Sequence, residues 1–128
     1  MAIKINTEKR IFTLETKHTM YQMQADTYGV LRHLWYGAKT GCDMSYLQDY
    51  PDVGFSGNPH DAGNDRTYSL DTLPLEYAGA GIGDFRVPAV EAVHADGSCA
   101  LDLRYYSHTV KQGKYAIAGL PALYAGED

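Results

Sequence analysis

A chain of 128 residues suits a single domain with a core of its own. Its formal net charge is −5 and its densest basic stretch is Lys9-Arg10, so it lacks the basic footprint that nucleic acid or an anionic membrane surface requires. No apolar run approaches the roughly 18 residues of a membrane span, and the opening Met-Ala-Ile-Lys-Ile-Asn has no apolar centre of a secretory signal.

The first elements show a period of two. Ile3-Lys4-Ile5 alternates, Asn6 to Arg10 interrupts with turn-type residues, and residues 11–16 resume a strand pattern. Residues 19–25 alternate again, with Tyr21, Met23 and Ala25 on one face and Met20, Gln22 and Gln24 on the other. After a break at Asp26-Thr27-Tyr28-Gly29, residues 30–36 form a fourth strand pattern. Strict alternation there puts Leu31, His33 and Trp35 on one face, and Val30, Arg32, Leu34 and Tyr36 on the other. This is the signature of an antiparallel meander.

Residues 37–66 carry Gly, Pro and Asp without a sustained period and read as a long ordered loop, a kind usually kept for function. From Thr67 short strand patterns return, punctuated by Pro74 and by Gly79-Ala80-Gly81-Ile82-Gly83. Those glycines precede Asp84-Phe85-Arg86-Val87-Pro88, which does not open a helix, so a turn beside an edge strand is expected rather than a phosphate cradle. Residues 87–106 read as a hairpin about Asp96-Gly97, a pair suited to a type I′ turn. Gln112-Gly113 marks a further turn, and residues 119–124 are strand-like. With no helix of substance, the expected class is all-β, an antiparallel β-sandwich.

Candidate chemistry is sparse. Asp43, Asp49, Asp52, Asp61, Asp65 and Asp71 fall in or near the long loop, where turns and caps favour aspartate on their own account. His60, Asp61, Asn64 and Asp65 fit neither a calcium loop nor a zinc pair, so no metal or other cofactor is expected. No serine sits in a nucleophile turn, and Cys42 has no basic neighbour. Cys42 and Cys99 read as reduced thiols of a cytoplasmic protein. His33 suits a hydrogen-bonded interior position, and Trp35 suits packing better than sugar stacking. The eleven tyrosines favour strands and equally suit sugar sites or subunit interfaces. Read residue by residue, the chain holds no complete active site.

Three stretches resemble the N-terminal domain of family 36 glycoside hydrolases, the α-galactosidases. They are Tyr28-Gly29-Val30-Leu31-Arg32-His33-Leu34-Trp35-Tyr36-Gly37; Asp65-Arg66-Thr67-Tyr68 through Leu73-Pro74-Leu75-Glu76-Tyr77 with Gly83-Asp84-Phe85-Arg86-Val87-Pro88; and Asp96-Gly97-Ser98, Asp102-Leu103-Arg104-Tyr105 and Gly119-Leu120-Pro121. Ala78 departs from the family's Pro after Tyr77, in a turn.

The resemblance implies that residues 1–128 are a truncated part of a larger, supersandwich-type domain preceding a catalytic (β/α)₈ barrel. Two barrel aspartates would act as nucleophile and acid/base with retention, so no residue of this chain would be catalytic. It further implies a galactoside substrate of the melibiose or raffinose type and a homo-oligomer, a tetramer in related enzymes. There the long loop reaches the galactose pocket. Asp52 and Arg66 match the family's contact positions, a carboxylate and a guanidinium suited to sugar hydroxyls. As motif charges within strands, Asp84, Arg86, Asp102 and Arg104 are expected to form ion pairs that fix loops rather than to bind ligands. The role so implied is to support the barrel, the oligomer and the pocket rim, while a free-standing carbohydrate-binding module is the alternative. The isolated chain is expected to self-associate through an unpaired edge strand.

Overall fold

A computed structural model describes residues 2–48, 60–113 and 116–122. Four strands, β1 (Ala2–Asn6), β2 (Ile11–Glu15), β3 (Thr19–Ala25) and β4 (Leu31–Ala38), form one antiparallel sheet in chain order. The expected meander is there, with ends within two residues of the sequence pattern.

Short polar turns set the register. Asn6 Oδ1 accepts the Lys9 amide at 3.0 Å, and Arg10 takes a positive φ of 52° to rejoin Ile11 opposite Asn6. Between β2 and β3, the Thr16 hydroxyl accepts the Thr19 amide at 2.9 Å. Between β3 and β4, Asp26 Oδ1 accepts the amides of Tyr28 and Val30, both at 2.9 Å. Short Asx and Thr turns of this kind leave few alternative registers.

The face assignment of β4 needs correction. Met23 pairs with His33 and Gln22 pairs with Trp35, so Leu34 is an extra residue in a β-bulge. A bulge reverses the alternation beyond it. His33 therefore lies with Tyr21, Met23 and Tyr36, while Trp35 lies with Met20 and Gln22. Alternation from Arg32 already points Leu34 into the core with Ile11, Met20 and Met44, and the bulge adds Trp35 to that same face, packed against the cluster. Trp35 thus packs, as expected, and donates its indole N–H to the Ala38 carbonyl at 3.2 Å.

Chain from beyond the sheet covers both faces. On the Met20 face, Gln22 holds the loop after β4 by accepting the Met44 amide at 2.9 Å and donating to the Cys42 carbonyl at 3.2 Å. Glu15, 4% exposed, receives Lys39 Nζ at 2.7 Å and Lys4 Nζ at 3.0 Å. Lys39 first and Lys4 second hold its carboxyl below the usual range. On the opposite face, Phe12 meets the rings of Tyr105 and His108, with centroids 5.7 and 4.9 Å away. A second core of Val30, Ala62, Tyr68, Leu70 and Leu73 sits where the later chain folds back on the β3–β4 turn.

Beyond β4, no strand forms among the described residues. Residues 74–76 come nearest: the His33 amide bonds the Pro74 carbonyl at 2.7 Å, the Glu76 amide bonds the Leu31 carbonyl at 3.0 Å, and Arg32 and Leu75 form one bridge. The hairpin expected over 87–106 is reduced to its tip. Gly97 donates to the His94 carbonyl and His94 donates to the Ser98 carbonyl, both at 2.9 Å, with Gly97 at φ 83° and Asp96 outside the positive-φ region. That is a three-residue loop with a left-handed glycine rather than a type I′ turn. The arms bond elsewhere: Ala89 to Ala78, Leu101 to Ala80 and Tyr105 to Gly29. With separate partners, no ladder propagates between them. Residues 119–122 likewise form no strand, and Leu123 and Tyr124 lie outside the described residues.

The glycine run is a packing contact. A Cβ on Gly79 would meet the Leu101 carbonyl oxygen at 2.4 Å, so only hydrogen fits beneath that carbonyl. Gly79→Ala is expected to destabilise the fold by about 1–3 kcal/mol, the usual range for overpacking. Its urea midpoint should fall; a midpoint equal to wild type would show that residues 100–101 yield freely.

Candidate functional site

Of the two residues expected at a sugar site, Asp52 lies outside the described residues. Arg66 is described and exposed, on the turn that follows the short 3₁₀ segment His60–Ala62. The Tyr68 amide closes this turn onto the Asp65 carbonyl at 3.2 Å. Asp65 Oδ1 accepts the Thr67 hydroxyl at 2.6 Å and its amide at 3.0 Å, and these bonds hold the Asp65 carboxyl below its ordinary range. Arg66 is thereby carried at the tip of a turn that its neighbours make rigid.

Behind the turn is a buried polar network. Asp26, 8% exposed, receives Arg32 Nε at 2.9 Å, Arg32 Nη2 at 2.8 Å and the Tyr68 hydroxyl at 2.5 Å, all on Oδ2. Arg10 also donates to the Asp26 carbonyl. Burial first, and the Asp26 carboxylate second, push the Tyr68 hydroxyl well above the ordinary tyrosine range, so it stays a donor. The ring of Tyr28 meets that of Tyr68 edge-on at 4.7 Å. Nothing in a residue-by-residue reading singled out Asp26 or Tyr68. The available signal was an Asp placed to cap the turn before β4, with an Arg two residues into the next strand.

Two further arginines brace the chain after β4. Arg86 donates to the Leu70 carbonyl at 2.6 Å, the Leu73 carbonyl at 2.9 Å and Asp84 at 2.9 and 3.0 Å. Arg104 joins Asp102 at 2.5 Å, Asp61 at 3.4 Å and the Tyr28 carbonyl at 2.8 Å. Asp102 first raises the Arg104 pKa further, against burial. The four motif charges do fix loops by pairing, as expected. On the Met23 face of β4, His33 Nδ1 lies 3.1 Å from Glu76 Oε1, and the Tyr21 hydroxyl donates to the other Glu76 oxygen. His33 is hydrogen-bonded but half-buried rather than interior.

Hollows in the surface lie elsewhere. One of about 260 Å³ is lined by Lys4, Thr13, Glu15, Gln22, Cys42 and Asp43. Another of about 150 Å³ is lined by Val30, Leu75, Ile82 and Tyr105 among others. Neither includes Arg66. No group of three His, Cys, Asp or Glu side chains is placed to hold a metal among the described residues. Cys42 and Cys99 are free and exposed, and no helix among the described residues is long and apolar enough to cross a membrane. The arrangement holds the exposed Arg66 on a turn that Asp65 and Thr67 brace.

Residues 29–128 match the glycosyl hydrolase family 36 N-terminal domain. The chain belongs to that family. Over 99% of its length this family 36 chain is 52% identical to the bifunctional alpha-galactosidase/sucrose kinase AgaSK of Mediterraneibacter gnavus, of which it covers 14%. The galactosidase domain of AgaSK superposes with a TM-score of 0.91 over 97% of this chain and 17% of that one. A variant of the alpha-galactosidase AgaA from Geobacillus stearothermophilus, in complex with raffinose, is 37% identical with a TM-score of 0.80, over 91% of this chain and 16% of that one. The chain therefore spans about a sixth of the relatives it matches.

Proposed function

We propose that this family 36 chain is the first part of an α-galactosidase that hydrolyses terminal α-galactosides of the melibiose and raffinose type with retention. What supports the reading is likeness along nearly the whole chain to proteins named as α-galactosidases, one of them holding raffinose. In this reading the nucleophile and the acid/base belong to a barrel outside these residues, and the chain alone is inactive. Its work is to support that barrel and the subunit contacts of a homo-oligomer, and to supply a rim of the galactose pocket through Asp52 and Arg66. The exposed apolar residues Phe85, Val87, Val93 and Tyr106, on extended chain without a ladder, are suited to pairing with the remainder of such a parent. Two exposed free thiols suit a reducing, cytoplasmic setting.

The test is hydrolysis of a chromogenic α-galactoside by the full-length protein and by residues 1–128. The full-length protein should release chromophore, leave the β-anomer intact and conserve anomeric configuration; the fragment should release none. Asp52→Ala and Arg66→Ala in the full-length enzyme should each raise KM by about tenfold, the usual cost of one charged sugar contact. Measurable galactoside affinity in the fragment alone would favour the binding-module reading. Unchanged KM in both variants would leave the chain a purely structural support.

A further inference from the structure

The loop carrying Arg66 has two stems on the sheet, and one side chain touches both. Arg32 projects from β4 with its side chain 12% exposed. Its Nη1 reaches Gln48 Oε1 at 3.4 Å, and Gln48 is the last residue of the 3₁₀ turn Ser45–Gln48 from which the loop departs. Gln48 also donates to the His33 carbonyl at 3.0 Å. The other side of the Arg32 fork meets Asp26, which accepts the Tyr68 hydroxyl, and the guanidinium carbon lies 4.9 Å over the Tyr68 ring centroid. Tyr68 closes the return stem, two residues after Arg66.

An exposed guanidinium holds a sugar hydroxyl well only if its backbone is already set. Otherwise the ordering cost of turn and side chain is subtracted from affinity. Thr67 and Asp65 set the turn locally, and beside the packing of the Tyr68 ring its polar tie to the sheet includes the Tyr68 hydroxyl on Asp26. That hydroxyl is buried with a carboxylate acceptor, so its loss leaves Asp26 short of one partner without removing the ring over which Arg32 lies. We infer that Tyr68, acting through Asp26 and Arg32, is a positioning residue that sets Arg66 for galactoside binding. This rests on the reading of Arg66 as a sugar contact.

The experiment is steady-state kinetics of the full-length enzyme on a chromogenic α-galactoside with Arg66→Ala, Tyr68→Phe and both together. Tyr68→Phe should raise KM by about 3–10-fold with kcat within about twofold, and should add little once Arg66 is alanine. A general loosening of the domain would instead multiply KM equally in both backgrounds, and that result overturns the inference. So does an unchanged KM in Tyr68→Phe when Arg66→Ala raises it. If Arg66→Ala itself has no effect, the sugar-contact reading falls first and this one with it. Should Tyr68→Phe not accumulate as folded enzyme, Arg32→Lys keeps the charge on Asp26 but loses the fork to Gln48. It is expected to show the same KM pattern, and an unchanged KM would again overturn the inference.

Discussion

Asp26→Ala should lower the unfolding free energy by about 3–5 kcal/mol, the cost of leaving a buried charge without its partner. The substitution strands the Arg32 guanidinium, the Tyr68 hydroxyl and the amides of Tyr28 and Val30 at once. Arg32 cannot shed its proton, so the charge stays and must find water or a new acceptor. Because Val30, Tyr68, Leu70 and Leu73 form one cluster behind this network, loosening the turn also opens apolar surface. Asp26→Asn keeps an acceptor for the two amides and should recover part of the loss. Urea denaturation of the three proteins decides it. Equal midpoints for wild type and Asp26→Ala would mean that the network is solvated in practice.

Arg86→Ala is expected to cost about 1.5–3 kcal/mol at neutral pH, less than the first because the Arg86 side chain is 39% exposed and its charge is partly screened. The Asp84 side chain, by contrast, is fully buried. Burial works to raise the Asp84 pKa, yet bonds from Arg86 outweigh it and leave the carboxyl below its ordinary value. For a depressed carboxyl the stabilisation is complete above the unfolded pKa of about 4 and is lost as pH falls through the folded value. Asp43 behaves alike, held to about 2 by Lys9 and then Ser45. Wild type should therefore keep its stability down to about pH 4 and lose it below.

In Arg86→Ala the guanidinium bonds are gone, and burial acts on Asp84 against only the residue-86 amide, which bonds its Oδ1 at 3.0 Å. The Asp84 pKa then rises relative to the wild-type folded state, so the folded variant takes up its proton at a higher pH than the folded wild type does. The gap between wild type and variant should be widest at neutral pH and narrow as pH falls far enough to protonate Asp84 in the variant. A constant gap in urea midpoint would show that Asp84 stays ionised without Arg86. Arg86→Lys should not restore the wild-type value, because an ammonium cannot span Asp84 and the carbonyls of Leu70 and Leu73 as the planar fork does.

Much of the first third was legible in the sequence because its signals are local. Alternation over 19–25 named both faces of β3 correctly, and polar turn residues placed the three connections. The pairing of Asp84 with Arg86 and of Asp102 with Arg104 is likewise a matter of two residues in extended chain, whose side chains share a side. Arg66 was identified by resemblance rather than by its surroundings. The scaffold behind it joins residues 26, 32, 48 and 68, and no local pattern links positions that far apart.

What the sequence alone determined is the all-β character, the four-stranded meander and the family, since period, turn chemistry and motif order are all short-range properties of the chain. Tertiary structure decided the rest. The bulge at Leu34 brings Trp35 onto the Met20 face beside Leu34, against the core there, where regular alternation would have sent it to the other face. The Asp96-Gly97 tip formed without its ladder because Ala78, Ala80 and Gly29 offered the arms other partners. Strand pairing is a contest among distant backbone groups, and a segment's own residues record only its readiness to pair, not which partner it meets.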